Sequence, residues 1–121
     1  MNLIEIQNKL YDSLKETGWA KLFRSFLLSN DFLSILQKLA DFSAEGKNFT
    51  PSLKQLFTAF YECPVDKVKV IIVSQDVYTQ QGVADGIPFS CSNTMHRNAP
   101  LRNLQRKIAK TVYNDMEKYE K

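Results

Sequence analysis

Residues 68–78, Val-Lys-Val-Ile-Ile-Val-Ser-Gln-Asp-Val-Tyr, constrain this chain more than any other stretch. Val70 to Val73 is continuously apolar rather than alternating. That is the pattern of a strand covered on both faces, as in a parallel sheet. Open α/β sheets place ligands and chemistry at the carboxyl ends of their strands. Here that end carries Gln75, Asp76 and Tyr78: an amide, a carboxylate and a phenol in four residues. Nowhere else in the chain do strand-forming and reactive side chains coincide. The expected fold class is therefore α/β, mostly helical, with one buried strand over 70–73.

The rest of the composition narrows the class. A chain of 121 residues suits one domain, with roughly two thirds of its unfolded surface buried. Because 44% of residues are hydrophobic and 24% charged, disordered, collagen-like and low-complexity classes fall away. No apolar run approaches the ~20 residues that span a bilayer. The N-terminus, Met-Asn-Leu-Ile-Glu, lacks a basic segment before an apolar core, so no secretory signal is expected. Localisation is expected to be cytoplasmic, or within a viral particle. Cys63 and Cys91 have no CxxC spacing, and no histidine stands near them at ligand spacing. Two reduced, packed cysteines are the expectation, with no metal and no cofactor. The charge is uneven. From Arg97 onward seven cations face three acids, giving +4, while residues 1–96 sum to −1. A basic C-terminal helix carrying Arg97, Arg102, Arg106, Lys107 and Lys110 is a candidate phosphate-contacting surface, although such a helix also serves as a solvated face.

Leu3, Ile6, Leu10 and Leu14 recur at helical spacing and predict a helix over 3–16. Gly18 follows at the place of a left-handed C-cap. Trp19, Leu22, Phe23 and Phe26 form a second stripe, and Ser29-Asn30-Asp31 a break able to cap the next helix. Phe32, Ile35, Leu36, Leu39 and Phe42 form the third stripe, ending near Gly46. Thr50-Pro51 reads as a helix start, with Leu53, Leu56, Phe57 and Phe60 facing inward. Pro64 and Asp66 lead into the strand. Residues 79–86 read as a loop, and Ile87–Cys91 as a short extended piece that Pro88 confines to a sheet edge. Pro100 opens a last helix with Leu101, Leu104, Ile108 and Val112 on one face. No repeat or linker divides the chain, so residues 1–121 read as a single domain.

In this order the pieces resemble the family-1 uracil-DNA glycosylases. Thr50-Pro51 with Phe57-Thr58-Ala59-Phe60 is similar to the family's Pro-x-x-x-x-x-Phe-x-Ala-Phe. Val68–Val73 is similar to its Val-Lys-Val-Val-Ile-Leu strand, and Ser74-Gln75-Asp76-Val77-Tyr78 to its Gly-Gln-Asp-Pro-Tyr motif. Ala84–Ser90 is similar to Ala-His-Gly-Leu-x-Phe-Ser, and Leu101–Leu104 to the Leu-Arg-Asn-Ile stretch of the proline-rich loop. The likeness runs from about Trp19 to Ile108. Such enzymes flip a uracil out of the stack and read its edge and face. The resemblance implies that Gln75 binds the pyrimidine, Asp76 activates water, Tyr78 rejects a 5-methyl group and Phe89 stacks on the base.

The same comparison implies a domain lacking the C-terminal half of the family fold, where an Asn that reads uracil and a His-Pro-Ser-Pro loop reside. The only histidine here, His96, precedes Arg97-Asn98. One missing donor at the developing charge is typically worth ~10²–10³ in rate. Ser74 and Val77 replace Gly and Pro of the motif, and Thr79 stands where a His is usual. Asp85 takes the place of a His, setting an anion beside a path for phosphates, and Pro100 replaces a phosphate-contacting Ser. A strand with two unpaired edges needs a neighbour, which points to a protein partner or self-association by strand addition. The leading expectation is a non-catalytic structural or interaction module of glycosylase descent within a larger assembly, such as a phage or virion. The alternatives are a uracil-DNA glycosylase, active alone or completed by a second chain, and a DNA-binding module without chemistry. No membrane role is expected.

Overall fold

The computed structural model describes residues 2–91 and 98–113. Three helices make the body. Helix α1, Leu3–Ser13, starts with a capping box. The Asn2 Oδ1 accepts the Glu5 N–H at 3.1 Å, and the Glu5 carboxylate accepts the Asn2 N–H at 3.2 Å. Such a cap typically stabilises a helix by about 1 kcal/mol. The helix ends a turn earlier than its apolar spacing predicts. Gly18 does take the left-handed conformation, at φ +79°, and leads directly into α2, Trp19–Leu27. Helix α3, Asn30–Ala44, is capped as expected, with the Ser29 hydroxyl accepting the Phe32 N–H at 3.2 Å.

The core consists of Leu10, Leu14, Ala20, Leu27, Phe32, Leu36 and Phe57. Leu14 and Leu27 are the largest side chains shut off from solvent. Each contributes roughly 2 kcal/mol by burial. On α2 the inward face is Ala20 and Leu27, flanked by Trp19 and Phe23. Leu22 and Phe26, one turn apart, share a flank that the bundle leaves exposed. Trp19 stacks on Phe23 at 5.2 Å between ring centres, and Phe60 meets both edge-on at 5.0 and 5.3 Å.

The helix expected from Thr50-Pro51 is split. That peptide bond is cis, a short 3₁₀ turn covers Leu53–Gln55, and α4 covers only Thr58–Glu62. Between them Phe57 leaves the helical region, at φ −112° and ψ 20°, and places its ring in the core. The Thr58 hydroxyl donates to the Gln55 carbonyl at 2.9 Å across the break.

The strand expected over 70–73 does not form, and the described residues contain no β-ladder. Val70, Ile71, Ile72 and Val73 are 78%, 70%, 53% and 88% exposed. The reason is the lack of a neighbour: an extended segment becomes a strand only when another satisfies its amides and carbonyls. Its root is nevertheless anchored. The Val65 N–H donates to the Thr17 carbonyl at 2.9 Å, and the Trp19 indole N–H to the Cys63 carbonyl at 2.8 Å. The edge strand expected at Ile87–Cys91 is absent too. Phe89 has φ +65°, and the Ser90 N–H turns back to the Ile87 carbonyl at 3.1 Å. A backbone folded on itself in this way has no extended edge to offer.

Helix α5, Ala99–Ile108, begins with Pro100 in its first turn and continues as a π-helical turn, Ala109–Tyr113. Leu101, Leu104 and Ile108 are half-buried. Val112, expected on the same face, is exposed.

Candidate functional site

The segment after Val73 runs beside the loop that carries Phe89, and between them lies a pocket of about 270 Å³. That is small for a ligand site, since such sites run from ~300 Å³ upward. Asp76 and Tyr78 line it from one side, Ile87, Pro88 and Phe89 from another. Pro51 and Leu56 supply the wall toward the helical body, and Pro100 brings the first turn of α5 to the rim. The Tyr78 hydroxyl donates to the Phe89 carbonyl at 3.4 Å, tying the two sides together. The lining is mainly apolar, with one carboxylate at its edge.

Three of the four positions that the motifs single out therefore meet: Asp76, Tyr78 and Phe89. Gln75 is exposed and does not line this pocket. The chain bends at Gln75, between Ser74 and Asp76, which both line the pocket. Arg102, Arg106, Lys107 and Lys110 are exposed along α5 and its π-helical continuation. Among the described residues none of these four takes part in an ion pair. Arg97 and His96 lie outside the described residues.

Asp85 departs from its expected setting. Far from presenting an anion to solvent, it is 3% exposed. One carboxylate oxygen accepts the Ile87 N–H at 3.1 Å, and the other accepts the Ser90 hydroxyl. An aspartate that bonds the backbone two residues on is a common turn device; Asp85-Gly86 followed by Ser90 was the sequence signal for it. Gly86 explains how the loop fits. At φ +90° it lies so close to the helical body that an added Cβ would stand 1.8 Å from the Gln55 carbonyl oxygen.

A second depression, an apolar groove of about 560 Å³, runs along the other side of the same loop. Trp19, Phe60 and Leu104 form its floor, and Val70–Val73 its open flank. Ile87, Pro88 and Phe89 belong to both depressions and form the wall between them. Among the described residues no group of His, Cys, Asp and Glu could hold a metal ion. No described helix is long and apolar enough to cross a membrane.

Several curated proteins are similar to this chain in sequence. A uracil-DNA glycosylase of Campylobacter fetus subsp. fetus is 36% identical over 93 residues, 77% of this chain and 40% of that protein. One from Lactococcus lactis subsp. lactis is 34% identical over 97 residues, covering 78% and 44% of the two chains. One from Acinetobacter baumannii is 35% identical over 98 residues, covering 81% and 41%. This chain resembles the uracil-DNA glycosylases. It spans about two-fifths of the length of the curated relatives it matches. No family model matches the chain, and no solved structure does.

Proposed function

We propose that this chain is the base-binding half of a uracil-DNA glycosylase-like site: a module without excision activity by itself, working where a further polypeptide strand covers Val70–Val73. One observation carries the reading. The pocket gathers Asp76, Tyr78 and Phe89, yet among the described residues no cationic or amide side chain lines it. Phe89 offers a face on which a pyrimidine stacks, Tyr78 bulk against a 5-methyl group, and Asp76 a base for a water. Among the described lining residues no side-chain cation or amide is placed to stabilise the negative charge that builds on a departing base, and such preorganised donors usually supply the largest share of catalysis.

The assembly follows from the apolar quartet. Among the described residues no backbone hydrogen bond joins residues 69–73 to another segment. Four exposed β-branched residues beside an apolar groove make a surface that a monomer rarely leaves open. The occupant that fits is an apolar strand, because it satisfies the backbone of 70–73 and covers its side chains together. The relatives' additional length is consistent with such a strand.

A uracil-excision assay on single-stranded DNA, run with light scattering on the purified chain, tests the proposal. The expected result is no excision, together with an oligomer or a captured partner. Excision by the chain alone, abolished in Asp76→Asn, would overturn it and establish a complete enzyme. A second reading, DNA binding without chemistry, is favoured by the exposed cations of α5 and its continuation, which form no ion pair among the described residues. It requires affinity that falls steeply with salt, with a log–log slope of about −0.7 per phosphate contact on single strands.

A further inference from the structure

Phe89 is the one non-glycine residue with positive φ among the described residues, at +65°. Side-chain-bearing residues resist that conformation, which persists when its surroundings over-determine it and which clusters at ligand sites. The surroundings here are specific. Asp85 holds the Ile87 N–H on one side of Phe89 and the Ser90 hydroxyl on the other, while the Phe89 carbonyl accepts from Tyr78. The carboxylate is buried, so both of its bonds form where water competes least. We propose that Asp85 and Ser90 are a positioning pair: together they hold Phe89 in the left-handed conformation that makes its ring the pocket wall, and so set the site's affinity for a pyrimidine base. This deepens the proposed function and rests on it for the identity of the ligand. Asp85 and Ser90 are absent from the pocket lining, whereas Ile87, Pro88 and Phe89, which they bracket, belong to it.

The test uses the full chain with phenylalanine labelled for NMR and free uracil as the probe. Ser90→Ala removes one donor to a buried carboxylate, and we expect the Phe89 backbone and ring resonances to move and uracil binding to weaken about tenfold, the scale of a hydrogen bond to a charged group. Ser90→Thr, which keeps the hydroxyl, should restore both. If Ser90→Ala does not fold, Ser90→Cys makes the same comparison, because a thiol is only a weak donor to the carboxylate. Phe89 resonances unchanged in the folded variant would overturn the proposal, as would weakened binding that Ser90→Thr fails to rescue. If the unaltered chain binds no uracil, the proposed function fails. The Phe89 resonances then still decide whether Asp85 and Ser90 hold the ring.

Discussion

At Gly86 the loop of the candidate site touches the helical body with no room for a side chain. A Cβ there would collide with the Gln55 carbonyl, a backbone atom that has little freedom to retreat, and φ +90° disfavours any L side chain besides. Gly82 has a similar backbone, at φ +77°, but open space around it. Alanine at Gly82 should cost about 1 kcal/mol, the usual penalty for a left-handed residue, and alanine at Gly86 at least about 3 kcal/mol. Denaturant titration of the two variants checks this; equal losses would mean that the close approach does not exist in solution. Asp76, Tyr78 and Phe89 stand at positions that the motif order singles out, and the structure brings them to one pocket. The burial of Asp85 was not legible, because an aspartate in a glycine-containing loop looks exposed until donors such as the Ile87 N–H and the Ser90 hydroxyl are known.

Among the elements, α1 to α3 follow from local signals. Asn2 and Ser29 are short polar residues placed one position before their helices, and both cap as such residues do. Asn2→Ala should lower stability by about 1 kcal/mol. Leu27→Ala, at a site 1% exposed, should cost about 3 kcal/mol through lost burial and the cavity left behind. Thermal or urea unfolding would rank the two, and a smaller effect at Leu27 would contradict the packing of α2 on the body. Residues 50–62 follow a different logic. Their spacing suits one helix, but Phe57 enters the core only by leaving helical geometry. Burial of a ring outweighs the hydrogen bonds of one continuous turn.

For the molecule as a whole, the exposed quartet is the surface through which the proposed association is tested. Changing Val70 and Val73 together to lysine alters side chains that are 78% and 88% exposed. The stability of the isolated chain should therefore move by no more than about 0.5 kcal/mol, while association through this surface should be abolished. Light scattering and a melting curve on the double variant measure both quantities; a large loss of stability would show that the segment is already packed. The groove beside the quartet and the pocket share the wall formed by Ile87, Pro88 and Phe89. Under the proposed function, a strand filling the groove would therefore meet the same residues that wall the pocket.

Sequence alone determined the three-helix body, the chemical types at the site and the likeness to uracil-DNA glycosylases. Capping, helical period and motif order are all carried by residues close together in the chain. Only the tertiary structure decided that Val70–Val73 lies open, that Asp85 is buried, and that Gln75 stays outside the pocket that takes in Asp76 and Tyr78. Each of these depends on which distant segment supplies a partner, and for an apolar strand that partner is another strand.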